Sequence, residues 1–161
     1  MAKPLAAAPD LYDRDFFAWT EEQAVKLRAR AHNEIDWDNA AEEIETLGRS
    51  EKKEIRSRLR ILILHLLKWE FQPRLRSQGW QTTITEQRIH ISESIDDSPS
   101  LFRFPEAALE WAYNRAVREA GREAGLAKSD LPVRSPWSAD KILDPDFLPG
   151  APWSPETLIR D

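Results

Sequence analysis

The side chains best suited to chemistry lie between residues 42 and 88. Glu42 and Glu45 stand three apart, so on a helix their carboxylates share a face, with Glu43 turned away. Opposite a histidine on a neighbouring helix, such a pair could hold a divalent metal or orient a general base. His65 has the right surroundings: it sits in the most apolar run of the chain, followed by Lys68 and Trp69. Glu42, Glu45, His65, Lys68 and Trp69 therefore form the candidate groove of an enzyme. Two features count against it. Metal-binding bundles use Glu-x-x-His, whereas the residues three before His32, His65 and His90 are Ala29, Leu62 and Gln87. No motif places Ser57 or Ser77 beside His65 as a nucleophile. The preferred reading is an ion-paired or solvated acidic face and a core histidine satisfied by a carboxylate or carbonyl, with no metal and no cofactor.

A second constellation is basic. Lys52, Lys53, Arg56, Arg74, Arg76 and Arg88, with Arg58, Arg60 and Lys68 among them, interleave with Trp69, Phe71 and Trp80. Guanidinium groups beside aromatic rings can hold phosphates and stack bases. Three uses compete: pairing of Arg58, Arg74, Arg76 and Arg88 with the acidic helix, docking of an acidic protein, or binding of nucleic acid or a nucleotide. The charge plan favours the first. Residues 1–50 carry 6 basic and 11 acidic side chains, residues 51–90 carry 9 and 4, and residues 91–161 carry 8 and 13. No helix-turn-helix, zinc finger or glycine-rich phosphate loop supports the third.

Helices must position these groups, and the periodicity supplies them. From Asp13 to about His32, apolar residues recur at Phe16, Ala24, Leu27 and Ala31, widened by Phe17 and Trp19. Asp36 suits the cap of a helix over 37–47, and Gly48 its termination or a kink. Ser50 opens a helix over 50–71, with Ile55, Leu59, Leu62, Leu66 and Trp69 in a strict +4, +3 repeat. Ile61, Leu64 and Phe71 add a second apolar face, which predicts a spine central to a bundle or shared with a partner. Pro73 ends it. Trp80, Ile84, Arg88, Ile91 and Ile95 mark a helix capped by Ser77, and Pro105 opens another, lined by Ala112, Ala116, Ala120 and Ala124 and closed by Gly125.

Six of the 11 prolines fall between Pro132 and Pro155, so the chain from 126 reads as an extended arm with one turn at 139–143. Of seven tryptophans, Trp19, Trp37, Trp69, Trp80 and Trp111 belong to helix stripes. Trp137 is expected to clamp the arm, and Trp153 to be mobile or to meet a partner. The fold class that follows is all-α: a helical bundle of about five helices with an extended proline-rich C-terminal arm. At 161 residues one domain is expected, with a flexible N-terminus over 1–10, a single helical domain over 11–149 and a flexible tail over 150–161.

The composition narrows the class further. With 41% apolar residues the chain can bury a core, and a net charge of −5 excludes a uniformly basic surface. The absence of cysteine excludes disulfides, thiolate zinc sites and thiol nucleophiles. The longest apolar run, Ile61 to Leu64, is too short to span a bilayer and nothing at the N-terminus reads as a signal peptide, so a cytoplasmic location is expected.

Three stretches together are more specific than composition: Tyr12-Asp13-Arg14-Asp15-Phe16 with Trp19; Ala41-Glu42-Glu43-Ile44-Glu45 through Leu47-Gly48-Arg49-Ser50-Glu51; and His65-Leu66-Leu67-Lys68-Trp69 with Gln72-Pro73 and Arg74-Leu75-Arg76-Ser77. Trp80, Thr83-Ile84, Gln87-Arg88, Ser98-Pro99-Ser100-Leu101, Ile142-Leu143-Asp144 and Asp146-Phe147-Leu148-Pro149 follow in order. The pattern resembles the bacterial family catalogued as domain of unknown function 29, over roughly residues 11–149. Gly79 departs from it, standing where a small polar residue is more usual. The resemblance implies a small helical cytoplasmic domain and brings no catalytic residue with it. The leading expectation is a non-enzymatic interaction or regulatory module that self-associates through the second face of the 50–71 helix, as a homo-oligomer or with another protein. Anion or nucleic-acid binding through the basic residues of 52–88 is the alternative, and an enzyme the third.

Overall fold

The computed structural model describes residues 10–160 and is all-α, a helical bundle. Its helices are α1 (Leu11–Arg14), α2 (Phe16–Arg28), α3 (Trp37–Phe71), α4 (Gln78–Asp97), α5 (Phe104–Ala124) and α6 (Ala139–Leu143), joined by short 3-10 turns. Among the described residues there is no strand, only an isolated parallel bridge between Ser77 and Ile159. The flexible N-terminus expected over 1–10 lies outside the described residues, apart from Asp10, which caps α1 by accepting from the Asp13 amide. The chain forms two compact units, 1–49 and 50–161, where one domain was expected.

The largest departure from the sequence reading is α3. The helices expected over 37–47 and 50–71 are one helix of 35 residues, and Gly48 does not end it. An interior glycine costs about 1 kcal/mol against alanine. Its neighbours are good helix formers, and ion pairs from Arg49 to Glu42 and Glu45 and from Arg58 to Glu54 staple the turns on either side.

The first unit is organised by a polar centre. Asp36 accepts from the Trp19 indole at 3.1 Å and the Asn39 amide at 2.7 Å, while its own N–H donates to Gln23 at 2.8 Å. These bonds hold the Asp36 carboxyl below its ordinary pKa. The hydrogen bond from Asn39 is the main cause. The buried face of α2 is accordingly Trp19 and Gln23, not the Phe16–Leu27 stripe that periodicity suggested. Tyr12 stacks edge-on against Trp19 and donates its hydroxyl to Glu43.

The second unit has the larger core. Ile55, Leu59, Leu62, Leu66 and Trp69 are fully buried, each contributing about 1.5–3 kcal/mol by leaving water. Ile84 and Ile91 of α4 join them, as does a row of small residues on α5, Ala108, Ala112, Ala116 and Ala120. These small side chains of α5 share one core cluster with the stripe of α3. The two run parallel, since Lys52 lies over Phe104, Arg56 over Trp111, and Gln72 donates to the Ala124 carbonyl. Gly125, at φ +67°, closes α5 in the left-handed conformation that favours glycine. The second apolar face of the spine is covered by the chain itself: Leu64 is buried and Phe71 packs on the core.

Candidate functional site

The residues singled out by their chemistry fall into three groups, each with a different use. Glu42 and Glu45 are exposed in the first unit, bound by Arg49 at 2.8 and 3.5 Å. His65, Lys68 and Trp69 belong to the second. The candidate groove required a hairpin between 37–47 and 50–71, and the continuous α3 provides none. His65 Nδ1 lies 2.9 Å from the Ile61 carbonyl, one turn back, which makes Nδ1 the protonated nitrogen. Burial lowers its pKa, so the ring is neutral at pH 7. Lys68 packs its ammonium 4.5 Å from the Trp80 ring centre, and burial lowers its pKa as well. Among the described residues no group of His, Asp and Glu gathers as a metal would require.

The basic residues divide by burial. Lys52, Lys53 and Arg74 are exposed, and Arg56 stacks on Trp111 at 4.1 Å with a buried Nε that has no hydrogen-bond partner. Arg76 and Arg88 are 3% and 7% exposed, and neither pairs with the acidic helix as expected. Each instead binds main-chain carbonyls of the proline-rich arm. Arg88 Nε donates to Ile142 at 2.8 Å, Nη2 to Phe147 at 2.7 Å, and Nη1 to Pro145 at 3.4 Å. Arg76 Nε donates to Trp69 at 2.7 Å and Nη1 to Ala151 at 2.8 Å, with Pro149 at 3.5 Å from Nη2. An arm rich in proline has few N–H donors and cannot satisfy its own carbonyls in a helix or ladder. A buried guanidinium, with five donors in a fixed fork, satisfies several at once. Burial pulls the pKa of both arginines down, against the opposing pull of Glu70 at Arg76 and of Asp144 and Asp146 at Arg88.

Residues 150–160, where a flexible tail was expected, make specific contacts with the rest of the second unit. The Ile159 N–H donates to the Arg76 carbonyl at 2.8 Å, Gln78 N–H donates to Ile159, and Leu158 is buried. Trp153 is not free but meets Trp69 edge-to-face at 5.3 Å. Trp137 packs on the core of the second unit, as expected of a clamp, and meets Phe147 of the arm edge-on. Gly150 turns the chain at φ +84°, and a Cβ there would sit 3.0 Å from Arg76 Nη2, so glycine is required where the arm crosses the guanidinium.

A model of the family described as domain of unknown function DUF29 matches residues 11–148. The chain belongs to the DUF29 family. No curated protein and no solved structure matches it. The DUF29 match takes in both units and all three carbonyls held by Arg88, and it stops before Pro149 and Ala151, two of those held by Arg76. Among the described residues no helix is long and apolar enough to cross a membrane.

What sequence reasoning missed in this DUF29 chain is the surface of the first unit. Phe16, Phe17, Val25 and Leu27 on α2 are exposed, and so are Trp37, Ile44 and Leu47 on α3, at 53%, 68% and 69%. A weaker signal was present: the repeat that buries Ile55 to Trp69 breaks register at Ile55 with a second consecutive step of four, and beyond that break runs back as Glu51, Gly48, Ile44, Ala41 and Trp37.

Proposed function

We propose that the chain is a non-enzymatic helical interaction module that self-associates through the exposed apolar face of its first unit. The observation that carries this reading is the number of large apolar side chains left exposed on α2 and on the N-terminal half of α3. Scattered apolar residues are ordinary on a surface, whereas seven large ones between Phe16 and Leu47 favour contact with another surface. The α3 stripe complements itself. In an antiparallel pairing of two copies, Trp37 comes opposite Gly48 and Ala41 opposite Ile44, large against small along the seam. A Cβ at Gly48 would meet nothing within 4 Å, which leaves room there for an indole. Arg49 neutralises Glu42 and Glu45, easing the approach of two acidic segments.

Sedimentation equilibrium of the full chain from low to high micromolar concentration tests the reading. A monomer–dimer equilibrium is expected, abolished by Ile44→Glu and unaffected by Ile89→Glu, an exposed isoleucine of the second unit. A chain monomeric throughout overturns the proposal. A dimer indifferent to Ile44→Glu removes the assigned surface.

A further inference from the structure

The second unit carries an open groove of about 580 Å³ along the C-terminal half of α5, and its walls are cationic. Arg115, Arg118 and Arg122 line it from successive turns, and Lys128 closes it from the 3-10 turn that follows. Val117 and the bare Gly121 form part of its lining. Glu119, the one acid in the lining, is bound to Arg60 of α3. The remaining acids of α5 do not line the groove. Glu106 and Glu110 line a separate cleft with Tyr113 and Arg134, and Glu123 acts on His65 and Lys68. Among the described residues none of the four cations has a carboxylate within ion-pair distance.

Helix-end electrostatics accounts for Arg122, in the last turn, because cations there offset the partial negative charge of the free carbonyls. It does not account for Arg115 and Arg118, which lie further back. Arg115 is also held in place, its guanidinium 5.2 Å from the Trp111 ring centre. A protein of net charge −5 that concentrates four unpaired cations around one concavity has assembled a local field opposite to its overall charge. From Arg115 to Arg122 the helix rises roughly 10 Å, too long for one phosphate to span and suited to several in a row.

We propose that this groove binds a ligand carrying consecutive phosphate groups, with Arg115, Arg118 and Arg122 as forked donors to the phosphate oxygens and Lys128 as a point charge at the far side. The phosphates can come from a free oligophosphate or from a nucleic-acid backbone, and the two sources are separable. Calorimetric titration of the full chain uses sodium tripolyphosphate in one arm and a short single-stranded oligonucleotide in the other. At least one is expected to bind, weakening as salt rises from about 50 to about 200 mM. The double variant Arg118→Ala/Arg122→Ala, both at exposed positions, should lower the affinity by about tenfold or more. The control Lys53→Ala/Arg74→Ala, two exposed cations outside the groove, should leave it within about twofold. Binding of tripolyphosphate with this dependence assigns a small oligophosphate; binding of the oligonucleotide alone assigns a backbone. Absence of binding in both arms overturns the proposal, as does binding that the control weakens as much as the groove variant does. Far-UV circular dichroism of each variant confirms that the helices persist.

Discussion

Both halves of α3 carry apolar residues at helical spacing, and the two stripes meet opposite fates. From Ile55 to Trp69 the stripe is fully buried under α4, α5 and the arm, while from Trp37 to Gly48 it is open to solvent. The periodicity of a helix fixes which face is apolar. Whether that face is covered depends on what the rest of the chain can bring to it. In the second unit the supply is ample: an alanine-lined helix in the core, and an arm whose carbonyls are gathered by Arg76 and Arg88. Among its described residues the first unit buries only Trp19, Gln23 and Ile35, around the half-buried Asp36, and leaves seven large apolar side chains from Phe16 to Leu47 exposed.

Matched substitutions in the two units should separate them most widely. In the second unit, Ile55→Ala leaves a cavity and Arg88→Met leaves buried carbonyls without donors; each should cost about 2–5 kcal/mol. In the first, Ile44→Ala and Arg49→Met change exposed groups and should stay within about 0.5 kcal/mol for the dilute monomer. Urea midpoints at unchanged slope measure all four. A large cost at Ile44 in dilute solution would erase the distinction.

The two tyrosines sharpen the comparison on a smaller scale, because each unit raises one of them by a different route. Tyr12 is pushed up to about 12, chiefly by donating to Glu43, whereas Tyr113 is raised chiefly by burial and donates to the Pro132 carbonyl at 2.6 Å. A folded value above the unfolded one means stability present below about pH 10 and lost as pH rises through the folded value. Tyrosinate absorbance of the folded protein should therefore stay flat through pH 10 and rise only above it. A tyrosine ionising at its ordinary value would show that one of these contacts does not hold in solution.

Much of the second unit was legible in the sequence. The Ile55–Trp69 stripe, the Ser77 cap, the stop at Pro73 and the Gly125 terminus are local signals, and local physics decides them. Gly48 misled because a glycine's cost of about 1 kcal/mol is real but smaller than what a long, well-stapled helix can absorb. The arginine clamps were half visible: Arg88 stands between Ile84 and Ile91 at core spacing, and an arginine there must find buried acceptors. That the acceptors are carbonyls of a proline-rich arm more than 50 residues away is a tertiary fact, and no window of sequence contains it. The groove on α5 was missed for a related reason. Its arginines are balanced in sequence by Glu119 and Glu123, and only the fold pairs Glu119 with Arg60 and leaves Glu123 out of the groove's lining.

The central claim is that the N-terminal half of α3 awaits a second copy of the chain while the C-terminal half is complete. Amide hydrogen exchange resolved along α3, at low and at high micromolar concentration, tests it most directly. The account predicts that amides of residues 37–48 gain protection as concentration rises, while those of 55–69 are strongly protected at both. Protection of 37–48 that does not change with concentration would contradict it.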